Sequence, residues 1–127
     1  MTDHLTDALN TFKTHEMVGQ MECEVKATKL ISEVLRLLKE HRYIRDFLRV
    51  ENGRGGYFTV QLDGRINDCG TIKPRFPVKK SDWAITEQQY IPGVGIGLLI
   101  VSTSQGIMTN ADAQKKKVGG RLLAYIY

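Results

Sequence analysis

The sequence predicts an α+β chain of two small lobes. Three observations carry this expectation. Apolar residues recur at helical spacing in "DHLTDALNTFKTH" and "TKLISEVLRLLKEH". Apolar and polar residues alternate in "MECEVK", "YIRDFLRVE" and "YFTVQL", which marks half-buried strands. The second half is rich in Gly, Pro and short greasy runs, with a single clear helical stretch. An α-β-α-β-β lobe over 1–64 is therefore expected to precede a mainly β lobe over 65–127 with one short helix.

In chain order, Leu5, Ala8, Leu9 and Phe12 form one face of a first helix, with Thr2 or Asp3 as its cap. Met21, Cys23 and Val25 alternate with charged neighbours as a strand. Leu30, Ile31, Val34, Leu37 and Leu38 form the stripe of a second helix capped by Thr28. Two strands follow, joined by the hairpin signal "NGRGG". Pro74 and Pro77 limit "GRINDCGTIKPRFPVK" to edge strands or extended links. "SDWAITEQQYIPGVGIG" predicts one short helical turn around Trp83 and a Gly-rich approach to the strand "LLIVST". A hydroxyl-rich loop comes next, then a helix "NADAQKKK" capped by Thr109 or Asn110, then a closing strand "GGRLLAYIY".

Composition narrows the function classes. At 127 residues the chain can bury about two thirds of its unfolded surface. A net charge of +4 is a mild basic bias that suits a polyanion partner, and the Lys and Arg are spread along the chain. Cys23 and Cys69 stand far apart, as free structural thiols of a reducing cytoplasm do. The greasy run Leu98–Val101 is too short to cross a bilayer, so no membrane partner is expected. His4, His15 and His41 show no ligand spacing with the cysteines, and no metal or cofactor is expected.

Three segments bear on chemistry. "GVGIG", Gly93–Gly97, precedes a strand instead of opening a helix, so it is not a dinucleotide loop. Ser102, Thr103 and Ser104 have no neighbouring base and no nucleophile elbow, which leaves a serine hydrolase or transferase as a rival without a motif. With Gly106 and a helix start nearby, these hydroxyls suit either phosphate, sugar and base edges or a turn and cap with no partner. Gly119 and Gly120 before Arg121 suit either an RNA contact or a tight chain reversal. Lys26, Lys29, Arg54, Lys73 and Arg75 are exposed cations, each of which suits a phosphate or plain solvation. A third reading is a protein-interaction module built on Gly93–Gly97, Tyr125 and Tyr127.

"STSQGIMT", a short helix and "GGRLLAYIY", preceded in order by "DALNTFKTHEMVG", "TKLISEVLRLL", "RYIRDF" and "GRINDCGTIKPRFPVK", resemble the small-subunit ribosomal protein eight family over the whole chain. The "GRINDCGTIKPRFPVK" block and the "YIY" ending resemble its archaeal and eukaryotic branch. The resemblance implies a two-lobed, non-enzymatic protein of the cytoplasmic ribosome. Its partners would be small-subunit ribosomal RNA, at an irregular helix of the central domain, and neighbouring small-subunit proteins, with no small-molecule substrate. Assistance in subunit assembly is implied too. Carried over by position, the RNA-binding set is Ser102, Thr103, Ser104, Gly106, Met108, Thr109, Gly119, Gly120 and Arg121, with Thr28, Lys29, Arg54, Lys73 and Arg75. The chain departs from the family pattern at Lys26-Ala27-Thr28, where relatives carry Pro-Ala-Ser or Pro-Cys-Ser. It departs again at Gly93–Gly97, where many relatives carry a polar Arg-Asp or Arg-Gln-Phe, and at Arg121, where bacterial relatives carry Glu.

Overall fold

The computed structural model describes residues 4–72, 77–91 and 97–127. The expected caps Thr2 and Asp3, the cations Lys73 and Arg75, and Gly93 to Ile96 lie outside the described residues. The chain packs as two compact units, Met1–Asp68 and Cys69–Tyr127.

The first unit runs α1 (His4–Met17), β1 (Glu22–Lys26), α2 (Lys29–Glu40), β2 (Ile44–Val50) and β3 (Tyr57–Leu62). That is the α-β-α-β-β order the periodicities predict. The three strands form an antiparallel sheet in the order β1-β3-β2. Cys23, Val25, Phe58, Val60 and Leu62 are buried, while Glu22, Glu24 and Lys26 between them are exposed, so the period-two pattern separates a core face from a wet one. α1 buries Leu5, Ala8, Leu9 and Phe12, and α2 buries Ile31, Val34, Leu35, Leu37 and Leu38. Thr28 caps α2 as predicted, its hydroxyl accepting the Ile31 N–H at 3.2 Å. In the hairpin, the Asn52 side-chain oxygen accepts the N–H groups of Arg54 (2.8 Å) and Gly56 (3.0 Å) and holds the loop in shape.

The second unit contains β4 (Cys69–Thr71), β5 (Pro77–Val78), α3 (Trp83–Tyr90), β6 (Leu98–Thr103), β7 (Gly106–Thr109), α4 (Asn110–Lys115) and β8 (Gly120–Ile126). The sheet order is β4-β8-β6-β7, with β5 also pairing β8. Pro77 opens β5, a position where a missing N–H is tolerated. One face of the sheet buries Leu99, Val101, Met108 and Leu122 in a cluster with Trp83, Ile91 and Ala113.

Two elements differ from expectation. α3 is eight residues, longer than one turn. Only Trp83 and Thr86 are buried along it, so no apolar stripe announces it. One tertiary and one local bond hold it instead: the Trp83 indole N–H donates to the Val118 carbonyl at 3.1 Å, and within the first turn the Thr86 hydroxyl donates to the Asp82 carbonyl at 2.9 Å. The stretch Gly106–Thr109, expected as loop, is strand β7. Thr103 pairs with Gly106 and Ser102 with Ile107, so the loop shrinks to Ser104 and Gln105. Gly106 has φ +115, a backbone conformation glycine adopts without a steric penalty.

Candidate nucleic-acid interface

The β6–β7 turn divides the three hydroxyls that the sequence presents as one group. Successive strand residues point to opposite faces. Thr103 lies on the face of Leu99 and Val101, and its hydroxyl is committed internally. It accepts the Gln105 N–H at 3.1 Å and donates to the Gly106 carbonyl at 3.0 Å, with the Met108 sulfur 3.9 Å away. Thr103 is therefore a staple of the turn. Ser102 lies on the other face, half-buried, directly opposite Arg121 on β8. Opposed residues of antiparallel strands share a face, so a hydroxyl and a guanidinium stand side by side. Ser104 sits exposed at the tip. Among the described residues no partner holds the Ser102 or Ser104 hydroxyl, and no ion pair holds Arg121.

Met108 and Thr109 act from beneath. Both side chains are buried, at 5% and 0% exposure, so neither presents a side-chain surface to a partner. The Thr109 hydroxyl accepts the Asp112 N–H at 3.3 Å and caps α4, which settles the choice between Thr109 and Asn110. Asn110 has a different task, which the sequence does not announce. Its side-chain oxygen accepts the buried Leu99 N–H at 3.0 Å, and its amide nitrogen donates to Glu87 on α3, which Gln114 also bonds. This clamp ties α3 and α4 to the strand that carries the serines.

The Gly119–Gly120 pair is explained by close packing. A Cβ on Gly119 would run into the Val78 carbonyl oxygen, and one on Gly120 would lie 2.6 Å from the Ser102 carbonyl oxygen. No side chain fits either place without a shift of backbone. The glycines thus bring β5 and β6 close on either side of β8 and set the height of Ser102.

In the first unit the Thr28 hydroxyl is occupied as a cap. Lys29 is exposed at the start of α2, whose first turn carries no acid, and Arg54 is exposed in the hairpin loop. Among the described residues neither is ion-paired.

Charge is the signal that a whole-chain total hides. Residues 1–68 hold 10 Lys and Arg against 11 Asp and Glu, a net of −1. Residues 69–127 hold 8 against 3, a net of +5. The cations are therefore not evenly spread, and counting by half would have found this without coordinates. Six ion pairs join described residues, and all six lie in the first unit.

Cys23 and Cys69 are buried and form no disulfide. Burial, helped by Glu16, Glu22 and Glu24, pushes the Cys23 thiol up to about 12, so it stays protonated and inert at neutral pH. Among the described residues no group of His, Cys, Asp and Glu is placed to hold a metal ion, and no helix is long and apolar enough to cross a membrane. All three histidines belong to the first unit, so the second unit offers Ser102 and Ser104 no imidazole base.

Fold and site together describe a two-unit α+β structural module with a hydroxyl-bearing turn on its cationic half. Residues 3–127 match the family described as Ribosomal protein S8. The chain is 48% identical over 126 residues to the small ribosomal subunit protein uS8 of Archaeoglobus fulgidus, covering 98% of each chain. The chain belongs to the ribosomal protein S8 family. It is accordingly a structural component of the small subunit of the cytoplasmic ribosome and not an enzyme.

Proposed function

We propose that this protein binds small-subunit ribosomal RNA at an irregular helix of the central domain, and that this contact helps the subunit assemble. Ser102 and Ser104 supply short hydroxyls to sugar and base edges where the RNA stack is broken, and Arg121 supplies a fork for phosphate. Gly106, Gly119 and Gly120 permit close approach and fix the turn. Thr103, Met108 and Thr109 hold it from within. Lys29 and Arg54, with Thr28 shaping the helix start, add phosphate contacts from the first unit, and Lys73 and Arg75 complete the cationic set. Neighbouring small-subunit proteins are the other partners.

One observation carries the reading: two hydroxyls without partners among the described residues stand on the unit that holds the chain's positive excess. The test is a titration of the purified protein against the central-domain helix at two salt concentrations. Ser104→Ala should weaken specific binding by about 1–3 kcal/mol, because an RNA group that loses its partner stays desolvated. Ser104 is exposed, so unfolding should be unchanged. Affinity should fall with salt at a log–log slope of about −0.9 per phosphate contact. An unaltered affinity for the alanine variant would reduce the turn to a structural reversal.

A further inference from the structure

Beyond the turn, the second unit has an open cavity of about 470 Å³ lined by Lys80, Ser81, Trp83, Ala84, Gln114 and Lys117. We propose that it seats a phosphate of the RNA backbone, next to the stretch that Ser102 and Ser104 contact; this rests on the RNA reading above.

The walls have the chemistry for that ligand. Two ammonium groups provide charge; the Ser81 hydroxyl donates to Asp82 at 3.5 Å and one Gln114 amide N–H to Glu87, which leaves the second Gln114 N–H as the neutral donor. Neither Lys80 nor Lys117 has an ion-pair partner among the described residues, and both are exposed. The acids of this unit are Asp82, Glu87 and Asp112. Glu87 is occupied by Asn110 and Gln114, and none of the three lines the cavity. Lys79, Lys115 and Lys116 are exposed in the same two segments and add to the local positive field.

Place argues for continuity with the turn. A Cβ on Gly119 would meet the Lys79 Cα and the Lys80 backbone nitrogen at 3.3 Å, while one on Gly120 would meet the Ser102 carbonyl at 2.6 Å. Lys80 and Ser102 thus flank the glycine pair at the start of β8, Gly119 just before the strand and Gly120 its first residue. Trp83 packs on the Leu99 and Val101 face while Ser102 points to the other, so an RNA strand that reaches both has to turn around the rim of the sheet. Lys117 adds a further mark. It has φ +56, a region that favours glycine, yet the chain places a cation there.

The test uses the full chain and the same RNA helix. In the Lys80→Gln/Lys117→Gln double variant the salt slope should become shallower by about one contact, 0.7–0.9 in log–log terms. Affinity should drop about 3- to 20-fold, the scale of two screened charges. The Lys117→Gly variant relaxes the backbone, so it should unfold later than wild type while binding RNA more weakly. Lys13→Gln, which alters a cation of the first unit that is paired with Asp68, should leave the slope unchanged. Wild-type binding with no difference in slope or affinity for both cavity variants would overturn the cavity site and leave the turn intact. Absence of specific binding by wild type would overturn the RNA reading itself.

Discussion

The two units treat charge in opposite ways. The first has nearly equal numbers of both signs and ties six of its cations to carboxylates; the second has a net of +5 and, among its described residues, no ion pair. Exposed pairs of this kind contribute about 0.2–1 kcal/mol each, so the first unit does not depend on them to fold. Their effect is to quiet a surface. Among its described residues the second unit leaves its cations without such partners, which suits the polyanion proposed above. Its polar stabilisation is internal: the Asn110 clamp and the Thr103 and Thr109 turn bonds. Under the RNA reading, the difference teaches that the six paired cations are held back from a polyanion, while cations such as Lys29, Arg54 and Arg121, which have no ion pair among the described residues, are the ones offered to it.

If internal bonds hold the second unit, breaking one should cost more than any change among the surface pairs. Asn110→Ala removes the acceptor of the buried Leu99 N–H and one of the two amides that bond Glu87. A buried donor without a partner costs about 1–3 kcal/mol, and the lost bond to a charged group adds to that. We expect a loss of about 2–3 kcal/mol, read as a lower urea midpoint for the transition of the second unit. A stability loss below about 0.5 kcal/mol would break the contrast.

Gly120→Ala sharpens the same contrast on geometry instead of bonds. The added Cβ would press on the Ser102 carbonyl at 2.6 Å and on Thr103 Cγ2 at 2.9 Å. Overpacking of this size costs about 1–2 kcal/mol when the neighbours yield. The yielding atoms belong to the serine strand, so RNA affinity should fall along with stability. Thermal unfolding and RNA titration of one preparation measure both.

The elements that periodicity announces were legible in the sequence. Leu5, Ala8, Leu9 and Phe12 mark α1 at helical spacing, and the alternation of Cys23 and Val25 with charged residues marks β1. Legibility fails where tertiary contacts decide. α3 has no stripe to show, because Trp83 and Thr86 alone are buried along it. β7 hides behind a two-residue turn of Ser104 and Gln105 that lacks an Asn-Gly signature. The site was half legible. The hydroxyl trio and the glycine pair stood out, but the commitment of Thr103 to its own turn depends on a hairpin that was not foreseen. Lys80 and Lys117, 37 positions apart, meet only through the packing of α3 against α4.

The smallest effect tests the quiet side. The Lys39 ammonium, 2.9 Å from Asp46, and the Phe47 N–H hold the Asp46 carboxyl below the ordinary aspartate range. A depressed folded-state value adds stability above the unfolded value, near pH 4, and that stability is lost as pH falls through the lower folded value. Lys39→Gln should thus lower the urea midpoint slightly at pH 7, and the gap should close in acid, as pH falls through the depressed folded-state value and Asp46 takes up its proton in the folded chain as well. Both partners are exposed, so molar salt should close most of the gap at pH 7 too. RNA affinity should not change, since the lysine already has a carboxylate partner. A Lys39→Gln protein that binds RNA as weakly as the Lys80→Gln/Lys117→Gln variant would mean that paired cations serve the polyanion as well as free ones, and the division between the two units would carry no functional meaning.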